Sequence, residues 1–357
     1  MGGSSIGSAF RVVTFGESHG PAVGAVIEGV RPGLAFDVEI VRRELARRRP
    51  GVNELVSPRS EADEPEILSG VFEGRTTGAP ICIVVRNHDA IPSEYDGVKD
   101  LFRPGHGDFS WLEKYGIRDH RGGGRQSGRE TVGRVAAGAL ARVVLAQTGT
   151  AVRGRVVEIA GIEAAPVAAD EIDWDVVEAS PVRCADPVAG AAMVEAIRKA
   201  AGEGESVGGV VEVVASGVPA GLGEPVFGKL DAEIARALMS IGAVKGVEIG
   251  EGFRAARMIG SKMVDQMATG GCLTNHAGGI LAGVSNGMPI VCRVAVKPTP
   301  TVSGELRTVD LDGREVSFRR EGRSDPCICP RLVPVAESMV SIVLADAVMS
   351  QEAVRGG

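Results

Sequence analysis

Aromatic residues make up only 4% of this 357-residue chain, with two tryptophans and two tyrosines among them. A stacking platform for single-stranded nucleic acid would be thin on so few rings. The net charge of −7 points the same way, against a general nucleic-acid binder. Histidine is scarce too, five in all, and no pair has the helical spacing of a zinc site. The acidic residues do not cluster, so no metal is expected. Six cysteines (Cys82, Cys184, Cys272, Cys292, Cys327, Cys329) are scattered, and Cys327-Ile328-Cys329 lacks the spacing and second pair of a zinc knuckle. Buried reduced thiols are the expectation. No apolar run approaches the ~18 residues of a membrane span. The amino terminus lacks the basic and apolar regions of a signal peptide. Met1-Gly2 resembles a myristoylation start, but Ile6 stands where Ser or Thr is required. These absences predict a cytoplasmic protein with no membrane partner.

What the chain has is glycine, 50 residues, about double the usual ~7%. There is no collagen period and no low-complexity tract, so the surplus belongs to turns, close packing and ligand loops. Its densest use is Arg121-Gly122-Gly123-Gly124-Arg125-Gln126-Ser127-Gly128-Arg129-Glu130-Thr131. Glycines let backbone N–H groups approach a ligand, arginine forks grip phosphate or carboxylate, and a following helix adds its positive end. An anion site is the expectation; the plainer alternative is a surface loop with solvated arginines. The glycines fit neither the Walker pattern nor the dinucleotide fingerprint, which disfavours an ATPase, a kinase or a Rossmann dehydrogenase. Val132, Val135, Ala136, Ala139, Leu140 and Val143 then fall on one helical face. Gly133, Ala137 and Ala141 recur every fourth residue beside it, where another backbone could pack closely. That helix is expected to be buried on several sides.

The chain also repeats itself. Val23-Gly24-Ala25-Val26-Ile27-Glu28 echoes Val207-Gly208-Gly209-Val210-Val211-Glu212, and each run reaches a Gly-Val-x-x-Gly-Leu turn ending at Leu34 and Leu222. Asp-x-Glu-Ile-x-Arg opens a helix from Asp37 and again from Asp231. Gly78-Ala79-Pro80-Ile81 matches Gly287-Met288-Pro289-Ile290, and Glu130-Thr131 matches Glu337-Ser338 at two very apolar helices. Five matches in one order predict an α+β fold, a duplicated β-α-β sandwich with central helices, near 130–147 and 333–350, between two antiparallel sheets. The halves span about 10–150 and 200–350 of one domain covering 1–357. Gly322-Arg323-Ser324-Asp325-Pro326 is then the counterpart of the anion loop.

Two histidines stand in glycine-framed loops: His19 in Gly16-Glu17-Ser18-His19-Gly20, and His106 in Arg103-Pro104-Gly105-His106-Gly107-Asp108. Histidine suits proton transfer near neutral pH. His120 adjoins the glycine loop, and His276 fits a turn-fixing role. Ser18 has the Gly-x-Ser-x-Gly frame of a nucleophile elbow, yet another strand follows where a hydrolase needs a helix. Asp325 reads equally as a turn carboxylate. Arg42, Arg43, Arg47, Arg48 and Arg49 read either as local charge for a small anion or as a solvated helix end.

Taken together, Gly16–Gly20, Arg103-Pro104-Gly105-His106, Arg121–Thr131, and Arg323-Ser324-Asp325-Pro326-Cys327 up to Val335-Ala336-Glu337 closely resemble the signature segments of chorismate synthases. Arg47-Arg48-Arg49-Pro50-Gly51, Ile67–Val71, Asn275–Gly279 and Lys297-Pro298-Thr299 fit as well, and the likeness runs from about Phe10 to Met349. The resemblance implies a lyase for the last shikimate-pathway step, on the way to the aromatic amino acids. In it 5-enolpyruvylshikimate 3-phosphate loses phosphate and a ring proton in an anti 1,4-elimination that gives chorismate. It further implies reduced FMN as cofactor and a homotetramer.

By the same resemblance, Arg48, Arg103, Arg129 and Arg323 would hold the substrate's carboxylates and phosphate. His19 would protonate departing phosphate, with Ser18 beside it. His106 would serve the flavin's pyrimidine ring, and Asp325 with Ser127 its N5. FMN would be lined by Arg125, Gln126, Ser127, Gly242, Ala243, Ala282, Lys297, Pro298, Thr299, Pro300, Thr301 and Arg323. The chain departs from the family pattern at Gln126 (usually Ser), Gly242 (Asn), Ala282 (Gly) and Ser324 (His). Glu54 stands where an arginine often faces substrate or pyridine nucleotide, so that contact is lost or passes to Arg59, and direct use of NADPH is in question. No reductase segment is evident, and an external flavin reductase is the expected source of FMNH2. A non-catalytic flavin-binding relative is the rival reading; it would bind FMN without releasing phosphate.

Overall fold

A computed structural model describes residues 3–49, 61–88, 92–269, 271–319 and 325–355. Glu54, Arg59, Arg323 and Ser324 lie outside the described residues.

Ten strands build two five-stranded antiparallel sheets. The first contains β1 (Ser5–Ile6), β2 (Arg11–Gly16), β3 (Ala22–Glu28), β4 (Pro65–Ser69) and β5 (Ile81–Arg86), in the order β1-β2-β3-β5-β4. The second contains β6 (Ala151–Ile159), β7 (Ile162–Glu163), β8 (Gly209–Ser216), β9 (Val244–Ile249) and β10 (Ile290–Val296), in the order β7-β6-β8-β10-β9. The two orders match for the four strands β2-β3-β5-β4 and β6-β8-β10-β9, while the edge strand β1 precedes β2 in the chain and β7 follows β6. In each sheet the first residue of the central strand faces the last residue of its neighbour, Ala22 opposite Arg86 and Gly209 opposite Val296, although the register of the repeated sequence differs between the halves. Val- and Ile-rich runs such as Ile81-Cys82-Ile83-Val84-Val85 suit central, covered strands. The predicted duplication is therefore present in the sheets, and β6, which has no quotable match in the first half, completes it.

Four helices fill the space between the sheets: α1 (Val38–Arg48), α2 (Thr131–Ala146), α3 (Leu230–Met239) and α4 (Cys329–Arg355). The second lies on β3, the fourth on β6 and β8, and these two pack against each other, flanked by α1 and α3. Small residues permit the closeness. A side chain at Gly133 would meet the Gly24 carbonyl oxygen at 2.5 Å, and one at Gly138 would meet Ser338 Cβ at 2.3 Å. Val132, Val135, Ala136, Ala139 and Leu140 are all fully buried, as their spacing predicts. The second apolar helix starts earlier than the sequence suggests, at Cys329. Its length and hydropathy would suit a membrane span, yet 83% of its most apolar window is buried, so it is a core helix. The repeated Asp-x-Glu-Ile-x-Arg sequence is used in two ways. Asp37 caps α1 by accepting from Glu39 N–H, whereas α3 begins at Leu230 with Asp231 already inside its first turn.

At one end of the first sheet, β2 finishes, β3 starts and β5 finishes, while α1 ends and α2 begins. The equivalent end of the second half is tied to it. Arg331 Nε donates to Arg48 O at 3.3 Å, and Arg134 donates to Ser240 Oγ at 2.6 Å. Most of the candidate residues gather at this junction.

Candidate active site

The chain leaves β2 through Gly16, whose φ of +85° favours glycine and where a side chain would sit 2.1 Å from the Ala22 carbonyl oxygen. Glu17 to Gly20 form a turn closed by Gly20 N–H to Glu17 O at 3.1 Å, and β3 follows. This is strand, turn, strand, so Ser18 lacks the helix of a nucleophile elbow. Ser18 is buried, with its Oγ 3.1 Å from His19 Nδ1. The His19 ring stands edge-on to Tyr95, 4.9 Å between centroids. The glycine loop closes over it: a Cβ on Gly122 (φ +67°) would lie 2.2 Å from both His19 Cε1 and Nδ1. Only a residue with no side chain lets this loop reach the imidazole.

Arg103 completes that corner. Its guanidinium lies 5.8 Å from the Tyr95 ring centre, and its Nε and one terminal nitrogen donate to Asp108 at 2.8 Å each. Burial alone would raise the Asp108 carboxyl, but the bonds from Arg103 and the charge of Arg118 outweigh it and hold it below the usual range.

The three arginines of the glycine loop have different duties. Arg121 pairs with neighbouring Asp119 at the surface. Arg125 turns onto β2, donating to Gly16 O (3.1 Å), Thr14 O (3.1 Å) and Thr14 Oγ1 (2.8 Å), and so pins the loop to the sheet. Only Arg129 enters the buried junction. It donates to Asn87 Oδ1 at 2.8 Å, to Arg86 O at 3.2 Å and to Asp63. Arg48 approaches from α1 and donates to Thr131 Oγ1 (3.0 Å), Gly128 O (2.6 Å) and the other Asp63 oxygen (3.4 Å). Asp63 thus bridges two arginines that the sequence assigns to substrate. Each guanidinium has five N–H groups against three bonds here, which leaves donors for a ligand. Burial, then the charges of Arg331 and Arg129, lower Arg48 to about 9 despite Asp63. Of the other helix-end arginines, Arg42 pairs with Glu39 and Glu64 in solvent. Arg47 serves a buried cluster with Glu44 and Glu337.

His106 follows Gly105, where a side chain would lie 2.6 Å from Pro300 Cβ. Its Nδ1 is 3.0 Å from Pro104 O, a carbonyl that can only accept. The neutral ring therefore carries its proton on Nδ1 and its lone pair on Nε2. Next along, a Cβ on Gly107 would lie 2.0 Å from Gln126 Oε1. Ser127 caps the short helix Gly128–Glu130, accepting from Arg129 N–H at 3.2 Å.

The segment from Lys297 to Thr301 joins these loops to the second half. Lys297 N–H donates to Ala243 O at 3.0 Å, beside Gly242. Thr299 Oγ1 donates to Asp325 O at 3.0 Å, and the Asp325 carboxylate pairs with Arg331. Gly242, Ala243, Lys297, Thr299, Pro300, Asp325, His106 and Gln126 are in this way linked through direct neighbours. Ala282 is the exception. It sits in the hairpin Ile280–Leu281/Val284–Ser285, whose Gly283 carbonyl accepts from Leu230 N–H at the start of α3. Lys297 follows the far end of β10, about 20 Å along the strand, and Gly242 follows the far end of α3. Within one chain, Ala282 does not join the other flavin candidates.

Sequence reasoning missed Asn87, Asp63, Tyr95 and Arg331. Asn87 had the one usable signal, a polar residue directly after an apolar strand at the end where the loops collect. His276 pairs with Glu251 at 2.9 Å, in keeping with its turn-fixing reading, and His120 lies at the loop's entry. Among the described residues no cluster of His, Cys, Asp and Glu could hold a metal. All six cysteines are free thiols, and burial pushes Cys292 up to about 12.

The family model for chorismate synthase matches residues 10–349. The chorismate synthase of Methanosarcina mazei is 55% identical over 351 residues, covering 97% of this chain and 96% of the relative. That of Syntrophus aciditrophicus is 51% identical over 354 residues, 99% of each chain. A crystal structure of chorismate synthase has the same fold, with a TM-score of 0.75, 33% identity and 97% of this chain covered (93% of that one). By sequence across nearly its whole length and by fold, the chain belongs to the chorismate synthase family.

Proposed function

We propose that this chain is a carbon–oxygen lyase that converts 5-enolpyruvylshikimate 3-phosphate to chorismate and phosphate. One C–O bond and one ring C–H bond break, the electron pair of the C–H bond enters the new double bond, and phosphate departs with the other. The observation that carries the reading is the enclosure of the His19 imidazole by the arginine-glycine loop, beside Arg103.

Phosphate gains negative charge as it leaves, and a protonated His19 next to it lowers that charge. Arg48, Arg103 and Arg129 bind the anionic groups through donors beyond those already engaged, and their protein partners keep the forks oriented. Burial of Ser18 and the Tyr95 ring hold the imidazole in place. The residues around Lys297–Thr301 fit a flavin mononucleotide: an ammonium, hydroxyls and backbone amides for a phosphate, with His106, Gln126 and Ser127 closing one side. Ala282 lies apart from that set. What reduced FMN supplies when bound is electron density for C–O cleavage, returned as the proton departs, so that no net oxidation results. His106, with its lone pair on Nε2, accepts a hydrogen bond or a proton there. Asp325, near Thr299, receives a proton through its carboxylate, its charge balanced by Arg331.

We further propose a single domain covering 1–357, a cytoplasmic homotetramer, and FMNH2 delivered by an external reductase, NADPH alone being ineffective because Glu54 replaces a phosphate-pairing arginine. The test is anaerobic phosphate release from 5-enolpyruvylshikimate 3-phosphate. Turnover is expected with dithionite-reduced FMN and not with FMN and NADPH alone. Flavin binding without phosphate release would instead identify a non-catalytic relative.

A further inference from the structure

We propose that Asn87 is a positioning residue that sets the His19 turn against Arg129. The inference rests on the reading of His19 as the acid for departing phosphate.

Asn87 is the first residue after β5. Its own N–H donates to Pro21 O at 3.1 Å, which seats it beside the start of β3. Its side chain then acts in two directions. Nδ2 donates to Glu17 O at 2.9 Å and to Gly20 O at 2.8 Å, the two carbonyls that bracket Ser18 and His19. Oδ1 accepts from Arg129 Nε at 2.8 Å. The preceding carbonyl, Arg86 O, accepts from the same guanidinium at 3.2 Å.

The orientation of the amide is dictated by chemistry. Turned over, it would set an NH2 against an N–H and an oxygen against two carbonyl oxygens. Both carbonyls and the guanidinium are satisfied only by a group with two donors on one side and an acceptor on the other. A carboxylate keeps the contact to Arg129 and repels the turn, while a shorter hydroxyl reaches neither. The two things joined come from separate parts of the chain, the β2–β3 turn and the loop before α2. Arg125 ties that loop to the end of β2, and the Asn87 amide adds the direct link between the Arg129 guanidinium and the turn that carries His19. Acid and anion-binding cation must stand in one geometry, and displacement of about 1 Å can lower a rate a hundredfold.

The test compares Asn87→Asp and Asn87→Ser, each alone and combined with His19→Ala. For every variant kcat, KM, FMN affinity and Tm are measured. Asn87→Asp is expected to lower kcat by about tenfold to a hundredfold. KM and FMN affinity should stay within about threefold and Tm near native, since the contact to Arg129 survives. In the His19→Ala background it should add less than about twofold, because residues acting through one group are not additive. If Asn87→Asp does not fold, Asn87→Ser carries the same comparison without added charge, with a rise in KM as well. A native kcat in the single variant, or its full loss repeated on top of His19→Ala, would overturn the proposal. A parallel collapse of kcat, FMN affinity and Tm would overturn it too, in favour of a role in folding alone. Native turnover in His19→Ala would remove the acid reading and this inference with it, a result distinct from additive losses.

Discussion

Asp63 and Arg129 form an ion pair closed off from solvent, the aspartate side chain fully and the arginine almost fully buried. Asp63 holds this place with φ at +51°, a conformation uncommon outside glycine. Its other oxygen faces Arg48, and Arg331 stands nearby with Asp325 as its own partner. Among the described residues, Arg48, Arg129 and Arg331 share Asp63 and Asp325 here.

Arg129→Ala should therefore act twice. Asp63 loses a partner, and stability should fall by about 3–5 kcal/mol, as when a buried pair is broken from one side. Affinity for the substrate anion should fall by about 2–5 kcal/mol. Arg134, one turn further along α2, pairs with Glu130 at 2.7 Å and bonds to Ser240. Its replacement by alanine takes a charged hydrogen-bond partner from the buried Glu130, so stability should fall by about 1.5–3 kcal/mol while affinity stays near native. Denaturant unfolding and equilibrium binding separate the two effects, and equal affinity losses at both positions would mean diffuse attraction rather than a site.

Removal of the His19 imidazole should lower turnover by about 10²–10⁴ with flavin binding retained, the usual loss for a general acid. A crowding variant tests the geometry. In Gly122→Ala the new Cβ would fall 2.2 Å from the ring, so the loop or the imidazole must move. Gly123→Ala has the same demand for positive φ (+90°), yet its Cβ would come no closer than 3.5 Å, to Arg103. Turnover should fall at least about tenfold further for Gly122→Ala than for Gly123→Ala. Phosphate-release rates matched within about twofold would show that strain, not displacement of His19, governs the loop.

The duplication was legible because apolar strands and glycine turns repeat in order, and strand pairing follows from that pattern. The glycine loop and the buried helix that follows it were legible, but not which arginine points inward. Arg121, Arg125 and Arg129 look alike in sequence; Arg121 takes the local Asp119, whereas the partners Thr14 and Asp63 of the other two are chosen by tertiary structure. Asn87 reaches the His19 turn from the end of the paired strand β5, and Tyr95 meets the ring from further along the chain, contacts that no local period encodes. Ala282 shows the converse. A family pattern placed it with the flavin, and the topology of β10 and α3 puts it at the other end.

Ala282 also has φ of +52°, where an alanine is strained. Ala282→Gly should relieve about 1 kcal/mol and raise Tm by a few degrees. FMN affinity measured on the isolated chain at low concentration should not change, since the residue lies apart from the other candidates. A tighter flavin with no gain in Tm would reverse both statements.

Glu337 offers the clearest pH dependence. Fully buried in α4, it accepts from Arg47 (2.6 and 3.0 Å), Arg142 (2.6 Å) and Gly154 N–H (2.7 Å). Burial would raise its carboxyl, but the charges of Arg142 and Arg47 and these bonds hold it below its ordinary value of 4.5. The unfolded chain binds this proton more readily than the folded one, so stability increases with pH through that window. The contribution is complete above the ordinary value and disappears as pH falls through the lowered one. Native protein should accordingly lose stability in acid from about pH 5 downward. Glu337→Gln should cost about 3–5 kcal/mol at neutral pH, because two half-buried arginines lose their fully buried shared counter-charge. It should also flatten the acid limb of the stability curve. Urea unfolding from pH 3 to 7 checks both, and an unchanged acid slope in Glu337→Gln would assign the acid sensitivity to other carboxylates, Asp108 first among them.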